Sequence, residues 1–123
     1  MNKFESKEDY LERILMLTEK KGSVRAIDIA TDMGYSKASV SIALKKLKNE
    51  HFIIVDEKTG NVNLTESGLK IAKNIYDRHR LLTNILMHIG VSEQTAEDDA
   101  CKIEHDLSEE TLQRLKETLA RVK

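Results

Sequence analysis

Apolar residues recur at the spacing of an α-helix along most of the chain. Near the N-terminus, one helical face carries Tyr10, Leu11, Ile14 and Leu17. Their period predicts a first helix from about Lys7 to Lys20. Two more helices are expected soon after it, with Ser36 as a suitable N-cap for the second of them. Their predicted ranges are Ala26–Met33 and Lys37–Asn49.

The period changes once, from that of a helix to that of a strand. The apolar run Phe52–Val55 and the alternating residues Val62–Leu64 flank the turn-forming residues Asp56–Asn61, and this stretch predicts a β-hairpin. Further helices are expected after it: one capped by Thr65 that reaches about Ile89, one from Ser92 and one from Ser108. The predicted fold is therefore mainly α-helical with a small β-hairpin.

Small and apolar residues in the second and third predicted helices have the spacing of a helix-turn-helix. Offsets of four, six and three residues separate Ala30, Gly34, Val40 and Ala43. A small residue lets the two helices approach, glycine permits the tight turn, and the later apolar residues hold the second helix against the first. With the hairpin as its wing, this pattern predicts a winged helix-turn-helix.

The order of elements divides the chain into two expected domains. Residues 1–72 would form a winged helix-turn-helix DNA-binding domain, and residues 73–123 an all-helical domain. The last helix carries an apolar stripe of Leu112, Leu115 and Leu119, which a chain of 123 residues is not expected to cover alone. We therefore expect the helical domain to form a two-fold homodimer.

Positive charge is concentrated on the third helix, although the chain as a whole is almost neutral. Lysine and arginine number 20 against 21 acidic residues, which gives a net charge of −1. The third helix holds four lysines and no acid before Glu50, and the face opposite its apolar stripe suits the major groove of double-stranded DNA. The expected DNA-contacting residues are Ser36, Lys37, Ser39, Ser41, Ile42, Lys45, Lys46, Lys48 and, on the wing, Lys58.

These residues are expected to make different kinds of contact. Lys46 and Lys48 are placed for phosphates, whereas Ile42 suits a thymine methyl group. Lysines on a helix also form ordinary solvated faces, and Lys58 is equally well explained as a turn residue. The combination of turn spacing with a following hairpin favours DNA binding over that alternative.

Several classes of protein are excluded by what the sequence lacks. Cys101 is the only cysteine, so no internal disulfide can form. No apolar run approaches the length of about 20 residues that spans a bilayer, and no signal-peptide pattern begins the chain. We therefore expect a cytoplasmic protein without a membrane partner. A zinc-hydrolase motif, a nucleophile elbow and a phosphate-binding glycine loop are all absent, which argues against an enzyme with a small-molecule substrate.

A polar cluster follows in the fifth predicted helix. Glu104 and His105 come three and four residues after Cys101, a spacing that would place all three on one side of a helix. A thiolate, a carboxylate and an imidazole that converge in this way form half of a transition-metal site.

Three further ligand-type residues lie on other predicted helices. His79 falls on the apolar stripe of the fourth helix, where a structural core histidine is the alternative interpretation. Asp9 and Glu12 lie three residues apart on the first helix, where a solvated acidic face is the alternative. Considered together with the downstream cluster, these residues favour a metal site.

Three segments of the sequence resemble one known family of regulators. They are Lys7–Glu12, Tyr76–Leu82 and Ala100–Ser108. The chain is similar to the diphtheria toxin repressor and manganese transport regulator family of metal-dependent repressors. This resemblance implies that Fe(II) or Mn(II) binds between the two domains, that the C-terminal helices dimerise, and that the dimer binds a palindromic operator. Co(II), Ni(II), Zn(II) or Cd(II) would be able to occupy such a site in vitro.

The same resemblance implies a set of metal ligands. Residues that match ligands of the manganese branch are Asp9, Glu12, His79, Glu104 and His105. Cys101 instead matches the iron branch, which has methionine where this chain has Asp9. Thr83 stands where iron-type members have the glutamate of an ancillary site, so that this chain departs from the iron-type pattern there and the number of metals per subunit stays open.

The sequence therefore predicts a metal-dependent transcriptional repressor of metal-ion homeostasis genes. Binding of a divalent metal between the domains would promote operator binding by the homodimer. The alternative is a winged-helix regulator of the same fold that does not respond to metal. A chelator added to a DNA-binding assay separates the two.

Overall fold

A computed structural model describes the backbone of residues 3–122 and the side chains of residues 7–122. Within this range the chain forms six helices and two strands. The helices are α1 (Lys3–Lys21), α2 (Ala26–Met33), α3 (Lys37–Asn49), α4 (Glu66–His88), α5 (Glu93–Ile103) and α6 (Glu109–Val122), and the strands are β1 (Ile53–Val55) and β2 (Val62–Leu64). The predicted fold class and order of elements are confirmed.

Element boundaries differ from the predictions by about one helical turn or less. Helix α1 begins at Lys3 rather than near Lys7, and β1 begins at Ile53 rather than at Phe52. None of the helices in the described part of the chain is long and apolar enough to cross a membrane.

The chain divides into two compact units, residues 1–73 and residues 74–123. The division falls inside α4, so that one continuous helix contributes to both units.

Unit 1 is built around side chains from all three of its N-terminal helices and from the hairpin. Leu11 and Ile14 of α1, Ile29 of α2 and Val40 of α3 are completely buried in one apolar cluster. Ile53 of β1 belongs to the same cluster. Burial of such side chains contributes roughly 1.5–3 kcal/mol each, so this cluster fixes the position of α3.

The turn between α2 and α3 has the geometry that the spacing of the sequence predicts. Gly34 follows α2 with φ of 71°, in the left-handed region that glycine adopts without strain. Its N–H donates to the carbonyl of Ala30 at 2.9 Å. Ser36 then caps α3, since its side chain accepts a hydrogen bond from the N–H of Ser39 at 3.1 Å. The helix-turn-helix is confirmed.

The wing is an antiparallel pair of strands. Ile54 of β1 lies opposite Asn63 of β2. At its tip, the Asp56 carboxylate accepts hydrogen bonds from the N–H groups of Lys58 and Thr59, at 2.8 and 3.2 Å. Such an Asx-type turn fixes the loop locally and leaves the Lys58 side chain exposed.

Gly68, in the first turn of α4, is required by close packing. A Cβ atom at this position would lie 2.0 Å from the backbone carbonyl oxygen of Phe52. The start of α4 therefore rests directly on the connection between α3 and the wing. Thr65 strengthens this contact, because its hydroxyl donates to the carbonyl of His51 at 2.7 Å.

Unit 2 contains the C-terminal part of α4 together with α5 and α6. Its completely buried apolar residues include Ile75 of α4 and Ala100 of α5. Leu112 and Leu119 of α6 are 7% and 9% exposed, so most of the predicted dimer stripe is already covered within the chain. Leu115 lies between them and is half-buried, so this stripe alone does not require a second copy of the chain.

Candidate metal centre and nucleic-acid interface

Two histidines flank a carboxylate that is completely buried in unit 2. Glu104 follows the last residue of α5 and has 0% exposure. Its Oε2 lies 2.9 Å from Nδ1 of His79 on α4. Its Oε1 lies 3.5 Å from Nε2 of His105, an ion-pair distance rather than a hydrogen bond. We call these three residues the buried cluster.

The side chains of the buried cluster are shielded from solvent to different degrees. The His105 side chain is 4% exposed and that of His79 is 19% exposed. An isolated carboxylate at the position of Glu104 would be costly, because burial removes its hydration. His79 supplies a hydrogen-bonding partner at Oε2, whereas His105 only lies beside Oε1. A neutral His79 that donates its Nδ1–H to Glu104 retains an acceptor lone pair on Nε2.

The chemistry of the buried cluster fits a divalent transition metal. Imidazole nitrogen and carboxylate oxygen are the donor types that manganese, iron, cobalt and zinc accept in proteins. Oε1 of Glu104 is buried and makes no hydrogen bond within the described part of the chain. Glu104 also contacts His79. Histidines that bind a metal commonly pair with a carboxylate in this way.

Cys101 is placed differently from the other predicted ligands of this segment. It is an exposed thiol on α5, whereas Glu104 is completely buried. Glu104 is the C-cap of α5: its backbone is helical, and its N–H donates to the carbonyl of Ala100 at 3.0 Å. Cys101 and Glu104 therefore lie about one helical turn apart, and His105 follows in the turn after α5.

The acidic pair of α1 is not a solvated face. Glu12 is 6% exposed and Asp9 is half-buried. Glu8, which is not among the predicted ligands, is also 6% exposed. Carboxylates are rarely buried to this degree without compensating partners, so the alternative of an ordinary surface is wrong for Glu12.

The position of the ancillary site has no ligand-type side chain. Thr83 on α4 is 9% exposed, and its hydroxyl has no hydrogen-bond partner among the residues that the structure describes. A hydroxyl offers no carboxylate oxygen to a metal ion.

The predicted DNA-contacting residues share one property, which is exposure of the side chain. All nine are exposed, and we call them the basic face: Ser36, Lys37, Ser39, Ser41, Ile42, Lys45, Lys46, Lys48 and Lys58. Ile42 is 68% exposed, an unusual degree for a large apolar side chain. The opposite side of α3 is buried through Val40, Leu44 and Leu47. This helix therefore presents its polar side outward on a rigid base.

One charge interaction near the basic face was missed from the sequence. Glu50, which follows α3, pairs with Lys7 of α1 at 2.9 Å. The Lys7 ammonium also lies 5.2 Å from the centre of the Phe52 ring. Because the partners are 43 residues apart, no local spacing could have indicated the pair. The positive charge of Lys7 offsets that of Glu50, the acidic residue nearest in sequence to the lysines of α3.

Family models match almost the whole chain. Residues 4–61 match the N-terminal DNA-binding domain of the iron-dependent repressors. Residues 65–123 match the metal-binding and dimerisation domain of the same family.

Individual relatives give the same result. The HTH-type transcriptional regulator MntR of Bacillus pumilus is 40% identical over 110 residues, which are 89% of this chain and 76% of that protein. The structure of the manganese regulator SloR is 33% identical, with a TM-score of 0.80 over 93% of this chain. A manganese-dependent transcriptional repressor solved in complex with manganese is 28% identical, with a TM-score of 0.84 over 93% of this chain. This chain spans about half the length of those two solved chains, 53% and 52%.

Proposed function

Because this chain belongs to the diphtheria toxin repressor and MntR family of metal-dependent transcriptional regulators, we propose that it represses genes of metal-ion homeostasis in response to a divalent metal. The family consists of HTH-type regulators, not enzymes. The observation that carries the proposal is the buried cluster, in which two imidazoles flank a completely buried carboxylate. Residues 1–72 are the proposed DNA-binding domain and residues 73–123 the proposed metal-binding and dimerisation domain.

The proposed metal is Mn(II) or Fe(II). The proposed ligands are Asp9, Glu12, His79, Cys101, Glu104 and His105. Support for this set comes from the burial of Glu12 and Glu104 and from the mutual contacts of the buried cluster. A bound divalent cation would supply the positive charge that buried carboxylates require. Co(II), Ni(II), Zn(II) and Cd(II) are expected to bind in vitro, since imidazole and carboxylate ligands accept them as well.

Cys101 is the one proposed ligand whose side chain is exposed, so it has its own test. A thiolate bound to Co(II) gives an intense sulfur-to-metal charge-transfer band. We expect an anaerobic Co(II) titration of the wild type to produce this band, and Cys101→Ser to lose it. A wild-type titration without the band would remove Cys101 from the ligand set and leave a carboxylate–imidazole site of manganese character.

The proposed regulation couples metal binding to DNA binding. Asp9 and Glu12 belong to the proposed DNA-binding domain, whereas the other four ligands belong to the proposed metal-binding domain. An ion held by both sets would favour one arrangement of the domains. Such coupling is typically about 1–3 kcal/mol. The basic face would then contact DNA, with Lys46 and Lys48 at phosphates and Ser39, Ser41 and Lys45 at base edges.

The proposed partner is double-stranded DNA with a palindromic operator, bound by a homodimer in the cytoplasm. A two-fold dimer presents two copies of α3, so that its operator would have two half-sites about one helical turn apart or a multiple of it. No small-molecule substrate is proposed.

The proposed function is tested by DNA binding with and without metal. A duplex selected in vitro with the Mn(II)-loaded protein provides the operator. We expect excess EDTA to weaken binding to this duplex, and Glu12→Gln to abolish the response to Mn(II) while the protein stays folded. Equal affinity in Mn(II) and in EDTA would instead favour the metal-independent regulator.

A further inference from the structure

Arg78 precedes His79 on α4, and its guanidinium is directed at the chain beyond α5. Its Nη1 donates to two backbone carbonyls, that of Glu104 at 3.2 Å and that of Leu107 at 3.3 Å. Its Nη2 donates to the Glu109 carboxylate in the first turn of α6. One side chain therefore connects α4 to the end of α5, to the connecting loop and to the start of α6.

The surroundings of Arg78 indicate a fixed rather than a solvated side chain. Its side chain is 14% exposed, and its Nε is buried. The Glu109 side chain is 81% exposed, so that this ion pair lies at the solvent end of the guanidinium. The carbonyl contacts are the more protected part. A planar guanidinium can serve several acceptors at once, which an ammonium group cannot do in the same geometry.

Two consecutive residues of α4 contact Glu104, one at its backbone carbonyl and the other at its side-chain carboxylate. Arg78 donates to its backbone carbonyl, and His79 contacts its carboxylate at 2.9 Å. The Glu104 N–H still donates to the carbonyl of Ala100 at 3.0 Å, and residues 104–106 then form a turn. The last carbonyls of a helix have no intrahelical donor. Arg78 supplies a donor to the carbonyl of Glu104, at the point where the chain leaves α5.

We propose that Arg78 is a positioning residue, which holds Glu104 and His105 in the geometry that receives the metal and joins this segment to α6. The inference rests on the proposed metal site and deepens it. Arg78 contributes no ligand atom. It acts through the backbone of the turn, as outer-shell partners of metal ligands generally do.

The test compares Mn(II) affinity in matched variants of the full chain. Arg78→Met keeps much of the side-chain length and removes every donor. Arg80→Met makes the same chemical change two residues further along α4, at an exposed arginine that lies 5.8 Å from the Tyr76 ring. We expect Arg78→Met to weaken Mn(II) binding by about 10–100-fold, the usual effect of losing an outer-shell partner. Arg80→Met should bind as the wild type does.

A conservative variant separates positioning from folding. Arg78→Lys retains one cationic donor, and we expect Mn(II) affinity between those of Arg78→Met and the wild type. The Co(II) absorption bands of Arg78→Lys should also shift, because they report ligand geometry. A general loss of folding would instead lower the thermal stability of the metal-free protein and leave the bands of the folded fraction unchanged. That second pattern would overturn the proposal.

A metal-free measurement makes the inference independent of the proposed function. Amide hydrogen exchange in a peptide that covers residues 104–109 should be faster in metal-free Arg78→Met than in metal-free wild type. Equal exchange, or equal Mn(II) affinity of Arg78→Met and wild type, would overturn the role of Arg78. Failure of the wild type to bind Mn(II) would overturn the proposed function, whereas the exchange result would still decide whether Arg78 holds the turn.

Discussion

The basic face of α3 and the buried cluster of unit 2 are both polar, but they meet their electrostatic requirements differently. Every side chain of the basic face is exposed, and its lysines are hydrated. In the buried cluster, Glu104 has no exposure and is flanked by His79 and His105. An exposed basic face costs the folded protein little free energy, because its charges remain hydrated. A buried carboxylate is tolerated only with its partners in place.

This difference separates stability from binding. Changes in the buried cluster should alter both folding and metal affinity, because the same side chains serve both. Changes in the basic face should alter DNA affinity and leave folding unchanged, because surface substitutions usually change stability by less than about 0.5 kcal/mol.

The largest expected effect is that of Glu104→Gln. The amide keeps the shape of the side chain but removes the charge that a cation requires. We expect Mn(II) affinity to fall by at least about 100-fold, beyond the loss typical of an outer-shell change. Isothermal titration under anaerobic conditions measures it. Glu93→Gln, at an exposed acid in the first turn of α5, is the matched control and should bind Mn(II) normally. Wild-type affinity in Glu104→Gln would remove Glu104 from the ligand set.

Gly68→Ala tests how closely α4 packs against the connection that follows α3, the helix that carries most of the basic face. Its new Cβ atom would meet a backbone oxygen that cannot rotate away, at 2.0 Å before relaxation. We expect a loss of about 1–3 kcal/mol in the free energy of unfolding, as overpacking generally causes. Urea denaturation measures it, with Lys70→Ala at an exposed position of the same helix as the control. An unchanged midpoint would show that α4 does not press on the Phe52 connection in solution.

Lys46→Ala should separate DNA affinity from stability. Loss of one phosphate contact is expected to reduce the slope of log affinity against log salt by about one, for all DNA sequences alike. Fluorescence anisotropy across a salt series measures the slope. Lys116→Ala, at an exposed lysine of α6, removes the same charge elsewhere and should change the slope less. A changed sequence preference with an unchanged slope would mean that Lys46 reads bases instead.

The smallest expected effect concerns Asp28 in α2. A hydrogen bond from the backbone N–H of Arg25, and then the charge of Lys21, lower the pKa of this carboxyl below its usual 3.8. Because the folded state binds the proton more weakly, Asp28 stabilises unit 1 above pH 3.8. This contribution is lost as the pH falls through the lower folded-state value. Asp28→Asn should therefore reduce thermal stability slightly at neutral pH, and thermal stability should then change less with pH in the acidic range. Identical acid profiles would contradict this account.

Local spacing predicted unit 1 well, because its main features are local. The spacing of Ala30, Gly34, Val40 and Ala43 indicates the turn between α2 and α3, and the exposed side of α3 follows from the apolar period of its buried side. Gly68 could not be explained in the same way. Its reason is a contact with Phe52, a residue of another element, and the sequence shows only that a glycine is present.

The candidate site was predicted less completely. The chemistry of His79, Glu104 and His105 is visible in the sequence, but the burial of each side chain is not. Cys101 and Glu104 lie about one helical turn apart, yet Glu104 is completely buried and Cys101 is exposed, because burial depends on which side of α5 other elements cover. The contacts of Arg78 could not be predicted from the sequence, since its partners are mainly backbone carbonyls.

Thermodynamic linkage tests the central claim most directly. If metal binding strengthens operator binding, operator DNA must strengthen metal binding by the same factor. Mn(II) affinity is measured by titration of the full chain with and without a saturating amount of the selected operator duplex. We predict tighter Mn(II) binding in the presence of the duplex, by about 5–150-fold, matching the factor by which Mn(II) raises DNA affinity. Equal Mn(II) affinity with and without the duplex would contradict metal control of DNA binding.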